Sequence, residues 1–424
     1  MTKNRIQEQK IPRGYKETKI GLIPDDWDCV RLDDMGHLSK GAGISKSEVQ
    51  ENGLPAVRYG ELYTCYDTQI NYVHSFINET SALNSKVIKR GDILFAGSGE
   101  TVDEIGKSAI YLGGNEAYAG GDIIIFSPKN KDSLCIAYLL NSQIVRRELR
   151  RLGQGQSIVH IYKPDISKLY LPVPPIQEQK KIADILDRWD SAISKIEKLI
   201  SVKRKLKKAL CQQLLTGKYR FEGFKTPWKE CRLGDIVKII ERPVEWDEDR
   251  LYQLASVRRW SGGMFIREER NGHQIKVKKL RTIKEGDFLI SHIQSAYGSM
   301  ALVPKEFDGM HVSELYTVLL PKNPDEFDIR YLAYMSQDKY IWHLAYLASN
   351  GFFAERLRLN FNPEDFLKHK IKIPADIKEQ GMIIDILNSV SNEIVLLSQK
   401  LELLKQQKRG LMQKLLTGKI RVKT

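Results

Sequence analysis

Cysteine is scarce in this chain of 424 residues: Cys29, Cys65, Cys135, Cys211 and Cys231 stand singly, and no C-x-x-C pair occurs. An odd, scattered set excludes a disulfide framework and a zinc ribbon, and it predicts reduced thiols in a cytoplasmic protein. No unbroken apolar run of about 18 residues is present, so no membrane span is expected. Met1 to Arg13 is polar and charged, without the apolar stretch of a signal peptide.

Catalytic signatures are just as scarce. There is no H-E-x-x-H and no G-x-S-x-G. His37, His160, His273, His292 and His343 are isolated, and the acid pairs Asp33-Asp34 and Asp103-Glu104 lack the second element of a nuclease. Phe95-Ala96-Gly97-Ser98-Gly99 fits the F-x-G-x-G pattern of S-adenosylmethionine sites. A methyltransferase acting on an amine also needs an Asn/Asp-Pro-Pro-aromatic loop, and the one Pro-Pro pair here is Pro174-Pro175 between Val173 and Ile176. A strand-turn glycine loop is the better reading. Gly106-Lys107-Ser108 ends like a P-loop, but Thr101 stands where its first glycine belongs. Nothing supports chemistry by this chain alone.

Positive charge is abundant. Lys and Arg number 67 against 53 Asp and Glu, giving +14, a balance that suits a polyanionic partner such as nucleic acid. The surplus is concentrated: +7 over residues 176–220 and +5 over 377–424, against +1 in each of the two longer regions before them. Those basic residues form either the solvated face of a rod or a face near phosphates or acidic partners.

An internal repeat organises the chain. Ile176-Gln177-Glu178-Gln179 recurs as Ile377-Lys378-Glu379-Gln380, Asp184-Ile185-Leu186 as Asp385-Ile386-Leu387, and Leu214-Leu215-Thr216-Gly217-Lys218 as Leu415-Leu416-Thr417-Gly418-Lys419. One constant offset relates all three, and it also relates Trp27 to Trp228, Arg31-Leu32 to Arg232-Leu233 and Asp34 to Asp235. The middles of the halves barely match.

The repeated segments read as long helices with an a/d seam. The seam is Ile182, Leu186, Trp189, Ile193, Ile196 and Ile200 in the first, continued by Leu206, Leu210 and Leu214 after a drift in phase near Lys203. In the second it is Ile383, Leu387, Val390, Ile394, Leu397, Leu401 and Leu404, then Leu411 and Leu415, with Lys408 the one interruption. Prolines precede both helices, and Gly217 and Gly418 follow them as C-caps. At about 1.5 Å per residue each helix is a rod of roughly 57 Å. Two such stripes on one chain, separated by a globular region, pair most simply with each other, antiparallel. The predicted fold is therefore α+β: two mixed α/β domains separated by two long helices in an antiparallel intramolecular coiled coil, with a pseudo-two-fold repeat. The predicted boundaries are a polar tail at 1–14, domains at 15–175 and 221–376, and helical regions at 176–220 and 377–424.

The α/β regions carry short β-type runs at Val57-Arg58-Tyr59, Asp92 to Phe95, Asp122 to Phe126, Gly286 to Ile290 and Tyr316 to Leu320, and helical stretches near 133–151 and 328–347. Candidate DNA contacts are the basic and amide clusters. Arg146, Arg147, Arg150 and Arg151 share a helical face, followed by the polar loop with Gln154, Gln156 and Ser157. Arg pairs bidentately with guanine and Gln with adenine, whereas a helical Arg stripe suits phosphates. The second region offers Arg258-Arg259-Trp260, then Lys276, Lys278, Lys279 and Arg281, then Gln294, then Arg356 and Arg358 after Asn350-Gly351. Lys46, Arg58, Tyr59 and Ser98 complete the set. Ordinary surface charge is the competing reading for each cluster.

The chain resembles the specificity subunits of type I restriction–modification enzymes. The residues that carry this are Leu171-Pro172-Val173-Pro174-Pro175-Ile176-Gln177-Glu178-Gln179-Lys180-Lys181-Ile182-Ala183, its second copy from Ile373 to Ile383, and the two Leu-Leu-Thr-Gly-Lys helix ends. Asn52 to Gly60 is similar to the opening strand of a target-recognition domain in that family. The second copy departs where Asp376 follows Ala375 and where Met382 replaces Lys181. The resemblance implies a non-catalytic subunit in which each α/β domain binds one half of a bipartite, asymmetric sequence in double-stranded DNA. It implies that the paired helices set the spacer, at most about 17 base pairs for rods of this length. Two methylation subunits would dock on the helices and recruit restriction subunits. S-adenosylmethionine, ATP and magnesium would sit on those partners, with no cofactor or metal on this chain. The competing readings are a coiled-coil DNA-binding scaffold without a restriction partner, and a methyltransferase using the Phe95 loop.

Overall fold

The structure, a computed structural model, describes residues 11–155, 158–350 and 360–422. Two compact units divide the chain. Unit 1 comprises Met1–Glu197 with Lys400–Thr424, and unit 2 comprises Lys198–Gln399. Each of the long helices, Ile176–Leu214 and Ile377–Leu415, therefore contributes one part to each unit.

Unit 1 contains two small mixed sheets. Its five-stranded sheet runs in the order Gly36–Lys40, Ile123–Pro128, Ile93–Ala96, Ser108–Tyr111, Gln69–Ile70, and its four-stranded sheet Ser75–Ile77, Leu54–Val57, Ala117–Ala119, Lys86–Ile88. Unit 2 repeats the plan with Val237–Ile240, Tyr316–Pro321, Phe288–Ser291, Met300–Leu302 in one sheet and Met264–Asn271, Leu251–Val257, His311–Ser313, Leu280–Thr282 in the other. Among the described residues, its first sheet has no counterpart of the short fifth strand. The continuous apolar runs Ile93–Ala96 and Phe288–Ser291 are buried at every position, as central strands covered on both faces should be.

Three of the predicted elements shift. The strand Leu54–Val57 stops at Val57, and Arg58 and Tyr59 leave it for a short helix, Glu61–Thr64. The helical stretches each break in two. Asp132 caps Ser133–Leu140, Gln143–Leu152 follows, and Asp328 and Asp338 cap Ile329–Met335 and Lys339–Leu347. An aspartate whose side chain binds the free N–H groups of the next turn starts a new helix rather than extending the old one.

Within unit 1, residues 176–197 run antiparallel to 400–415: Lys408 Nζ meets Asp190 at 2.5 Å and Lys405 meets Glu197 at 2.7 Å. Within unit 2, Lys203 meets Glu393 at 2.7 Å. Ile182, Leu186, Ile193, Ile200, Ile383 and Leu387 are buried, while Trp189, Ile196, Val390, Ile394, Leu397, Leu401 and Leu404 are half-buried. Leu206 is exposed, so it does not continue the seam. Lys203 and Lys207 take the inward-leaning positions there instead. Among the described residues one helix, the second long one, is apolar enough over 18 residues to meet the length and composition of a membrane span. Asp385, Asn388, Asn392 and Glu393 interrupt its apolar surface, and Ile383, Ile384 and Leu387 lie in the core of unit 2.

Candidate DNA interface

The repeated Glu-Gln of each helix start anchors the α/β domain to its helix. Glu178 is buried, accepts a hydrogen bond from Trp27 Nε1 at 3.0 Å, and pairs with Arg421 at 2.8 and 2.9 Å. Glu379 does the same with Trp228 Nε1 at 3.2 Å and with Arg220 at 2.8 and 2.9 Å. Gln179 and Gln380 donate to Pro174 and Pro374 carbonyls and accept from the backbone N–H of Asp132 and Asp328. The glycine after each helix, Gly217 at φ +70° and Gly418 at φ +68°, lies against Trp228 or beside Pro24 and Trp27. A Cβ there would need an unfavourable backbone conformation and would crowd those neighbours. The motif that looked like a helix signature is thus a clasp joining a helix start, a helix end and the α/β domain of the same unit.

A polar cavity of about 840 Å³ in unit 1 lies beside this frame, walled by Lys107, Arg146, Lys195, Lys405, Lys408 and Arg409 among others. Its floor is a polar network around the buried Lys408. Lys408 bonds Asp190 and Asp67, Asp190 accepts from Tyr138 Oη at 2.6 Å, and Gln69 donates to both Tyr138 Oη and Asp187. The lysine that interrupts the seam is therefore held by carboxylates. Burial opposes the Lys408 ammonium, yet the two carboxylates outweigh it and hold its pKa above the usual lysine value. Its counterpart in unit 2, Lys207, lies over the Tyr334 ring and has no carboxylate partner among the described residues; burial lowers its pKa. The structural reason is that Ser391 stands where Asp190 stands in the first copy, and Asn388 where Asp187 stands.

The candidate contact residues separate into groups. Arg146 turns inward, donating to the carbonyls of Ile105 at 2.8 Å and Asp103 at 2.6 Å, and burial lowers its pKa to about 10. Arg150 pairs with Asp103 and Arg151 with Glu148. The four arginines thus do not form one free face, which corrects the helical-stripe reading. The helix needs two of them to hold the loop at Asp103. Arg147 is exposed and has no acidic partner among the described residues. Ser98 is also corrected: it is buried, and its hydroxyl shares a 2.9 Å hydrogen bond with His160 Nδ1. Gln154 is exposed, with its backbone bridged to His160. Gln156, Ser157, Arg356 and Arg358 lie outside the described residues.

Lys46 is exposed on a short turn, and Arg58 and Tyr59 are half-exposed beside Tyr63. In unit 2, Lys278 is engaged by Glu248, Lys279 by Glu314 at 3.6 Å and Arg281 by Glu241 at 2.7 Å, leaving Lys276 exposed. Gln294 is half-buried and accepts backbone hydrogen bonds at a turn through its carbonyl. Arg258 and Arg259 are exposed and stack on Phe265 and Tyr297, and Trp260 is exposed beside them. Sequence reading missed Tyr297, Trp342 and Lys107, whose positions depend on long-range pairing.

The Phe95 loop is closed. Ser98 and Gly99 pair as a strand with His160 and Val159, and a Cβ on Gly97 would crowd the Asp122 carbonyl. The tight glycine packs strand against strand and leaves no cradle for a nucleoside.

Both halves of the chain match one family model, the type I restriction modification DNA specificity domain, over residues 24–204 and 225–406. The chain belongs to that family. Its relatives include the type I restriction enzyme MjaVIII specificity subunit of Methanocaldococcus jannaschii, 26% identical over 96% of each chain. They also include the EcoKI specificity subunit of Escherichia coli K12, 24% identical over 47% of this chain and 44% of that one. Among solved structures, the S subunit of a type I system from M. genitalium aligns at TM-score 0.59 with 15% identity, covering 92% of this chain and 96% of that one. A second, from work titled as the structural basis of assembly and conformational transition of the type I system, aligns at 0.55 with 16% identity, covering 94% and 99%. Members of the family are non-catalytic DNA-recognition subunits, in keeping with the closed Phe95 loop.

Proposed function

We propose that this specificity subunit reads a bipartite, asymmetric sequence in double-stranded DNA, each α/β domain contacting one half. The observation that carries this is the pairing of identical clasps with unlike contact surfaces. Glu178, Trp27 and Arg421 repeat as Glu379, Trp228 and Arg220, while the exposed Lys46, Arg147, Arg258 and Lys276 have no basic counterpart at the repeat offset, Arg58 alone of this set matching a cation, Arg259. A duplicated frame can present equivalent surfaces to two identical partners while its two readers differ. Lys46, Arg58, Tyr59, Arg147, Gln154, Arg258, Arg259, Trp260 and Lys276 are the side chains available for DNA. The cations supply phosphate contacts, and the amide and guanidinium groups next to loops supply base contacts.

The antiparallel helices set the spacer between half-sites. They also dock the methylation subunits, and exposed apolar side chains on the helix segments of unit 2 support this role: Leu199, Val202 and Leu206 on one, Val395 and Leu396 on the other. Restriction subunits join through the methylation subunits, and S-adenosylmethionine, ATP and magnesium act there. Single-molecule methylation mapping of cells expressing the chain with its methylation subunit tests the reading. One new gapped, bipartite motif is the expected result. An assembled complex that adds no chain-dependent motif would refute it.

A further inference from the structure

A strained aromatic turn in unit 2 has a role that charge alone does not supply. The hairpin of Leu251–Val257 and Met264–Asn271 closes through residues 258–263. At its tip Trp260 and Ser261 both adopt left-handed backbone, φ +58° and +51°, which a bulky side chain adopts rarely. The turn is held there from several directions. Trp260 N–H donates to the Tyr297 carbonyl at 2.8 Å, Ser261 N–H to the Gly298 carbonyl at 2.9 Å, and Ser261 Oγ to the Ser336 carbonyl at 2.9 Å. Trp342 donates its Nε1 hydrogen to that same Ser336 carbonyl at 2.6 Å. A Cβ on Gly298 would collide with the Trp342 indole, so glycine is required under it.

The result is an indole that remains 61% exposed while Tyr297 and Trp342 fix its orientation from 5.7 and 5.5 Å. Burying this ring against its neighbours would have been the ordinary use of a tryptophan. Arg258 and Arg259 immediately precede it, lying over Phe265 and Tyr297, and neither forms an ion pair with a carboxylate among the described residues, whereas Lys278, Lys279 and Arg281 of the same unit all do. A rigid apolar plate beside two guanidiniums that no carboxylate neutralises matches one surface chemistry well: the face of a base, between the phosphates of its own backbone.

We propose that Trp260 stacks on a base at an unstacked step of the DNA half-site bound by unit 2, with Arg258 and Arg259 gripping the flanking phosphates. This rests on the DNA-reading function proposed above and adds a contact that reads the duplex by deformability rather than by hydrogen bonds.

The test uses the full chain assembled with its methylation subunits, on duplexes with and without its mapped target. Trp260→Ala should weaken target binding about ten-fold with no change in the slope of affinity against salt, and Trp260→Phe should restore most of it. Arg258→Gln and Arg259→Gln should each lower that slope by about one phosphate contact. Abasic substitution along the second half-site should then locate the partner base. At one position it weakens the parent protein and adds nothing to Trp260→Ala. Unchanged affinity in Trp260→Ala, a loss that travels with the salt slope, or abasic effects that simply add at every position would each overturn the stacking role. A parent complex that shows no preference for any sequence would instead overturn the reading on which it rests.

Discussion

Replacing Arg421 by Met should destabilise unit 1 by stranding Glu178. That carboxylate is buried, with 2% of its side chain exposed, and it has four donors: Trp27 Nε1, two Arg421 nitrogens and the backbone N–H of Val422. Removing one partner of a buried ion pair costs about 3–5 kcal/mol, because the remaining charge is left without its counter-ion. Arg421 is itself 42% exposed, and water can reach the vacated space, so a smaller cost, about 2–3 kcal/mol, is expected. The outer pair of Arg421 with Asp26 at 2.6 Å is half-exposed and adds at most about 1 kcal/mol. A domain of this size shifts its Tm by about 2–4 °C per kcal/mol, so the variant should melt about 5–10 °C lower. The decisive comparison is the double variant Glu178→Gln with Arg421→Met. A neutral amide still accepts from Trp27 and leaves no buried charge, so the double variant should recover at least about 1 kcal/mol relative to the sum of the single changes. Thermal unfolding of the full chain, followed by circular dichroism, measures this. Strict additivity, or a loss under about 1 kcal/mol for Arg421→Met, would show that the clasp is ornamental and that packing of Trp27 alone fixes the helix start.

The remaining predictions concern the seam and the readers. Lys408→Met should cost about 3 kcal/mol by leaving the largely buried Asp190 with Tyr138 Oη but without its counter-ion, whereas Lys207→Met should be neutral or stabilise by about 1 kcal/mol, since no carboxylate depends on it; chemical denaturation of the two variants separates them. Because the Lys408 pKa is raised in the folded state, its stabilisation is complete below the ordinary lysine value of about 10.4 and disappears as pH rises through the folded value. An alkaline unfolding limb should therefore be present in the parent and absent from Lys408→Met; equal limbs would contradict the network. Exchanging residues 15–170 for another such domain should change one half of the methylated motif and leave the other intact, and changes in both halves would defeat modular reading. Inserting one heptad into each long helix should lengthen the spacer in the mapped motif, and an unchanged spacer would remove the helices from that role.

Much of this architecture is legible in one dimension because it is duplicated at a single offset. Matching Trp27 to Trp228 and Glu178 to Glu379 needs no knowledge of the fold, and a 3.5-residue apolar period identifies a helix wherever it is sustained. Period and repeat are local or statistical properties, so the seam from Ile182 to Ile200 and the breaks at Gly217 and Gly418 follow from sequence alone. The limits appear where a side chain chooses among partners distant in the chain. Arg146 reads as one of four equivalent cations, yet only the folded loop at Asp103 and Ile105 supplies the carbonyls that turn it inward. Lys408 reads as a flaw in the seam until Asp67 and Asp190 arrive to neutralise it, and Lys207, at the same point in the repeat, finds none. Ser98 looks like a loop hydroxyl and is buried by pairing with His160. Trp260 reads as one more aromatic beside two arginines, and only Tyr297, Ser336 and Trp342, brought from later in the chain, hold it outward. Sequence determined the helices, the repeat and the basic character of the chain, because these depend on neighbours and on counting. Tertiary structure decided which charges are spent and which are free, because an ion pair is a property of two positions and the fold alone sets the distance between them.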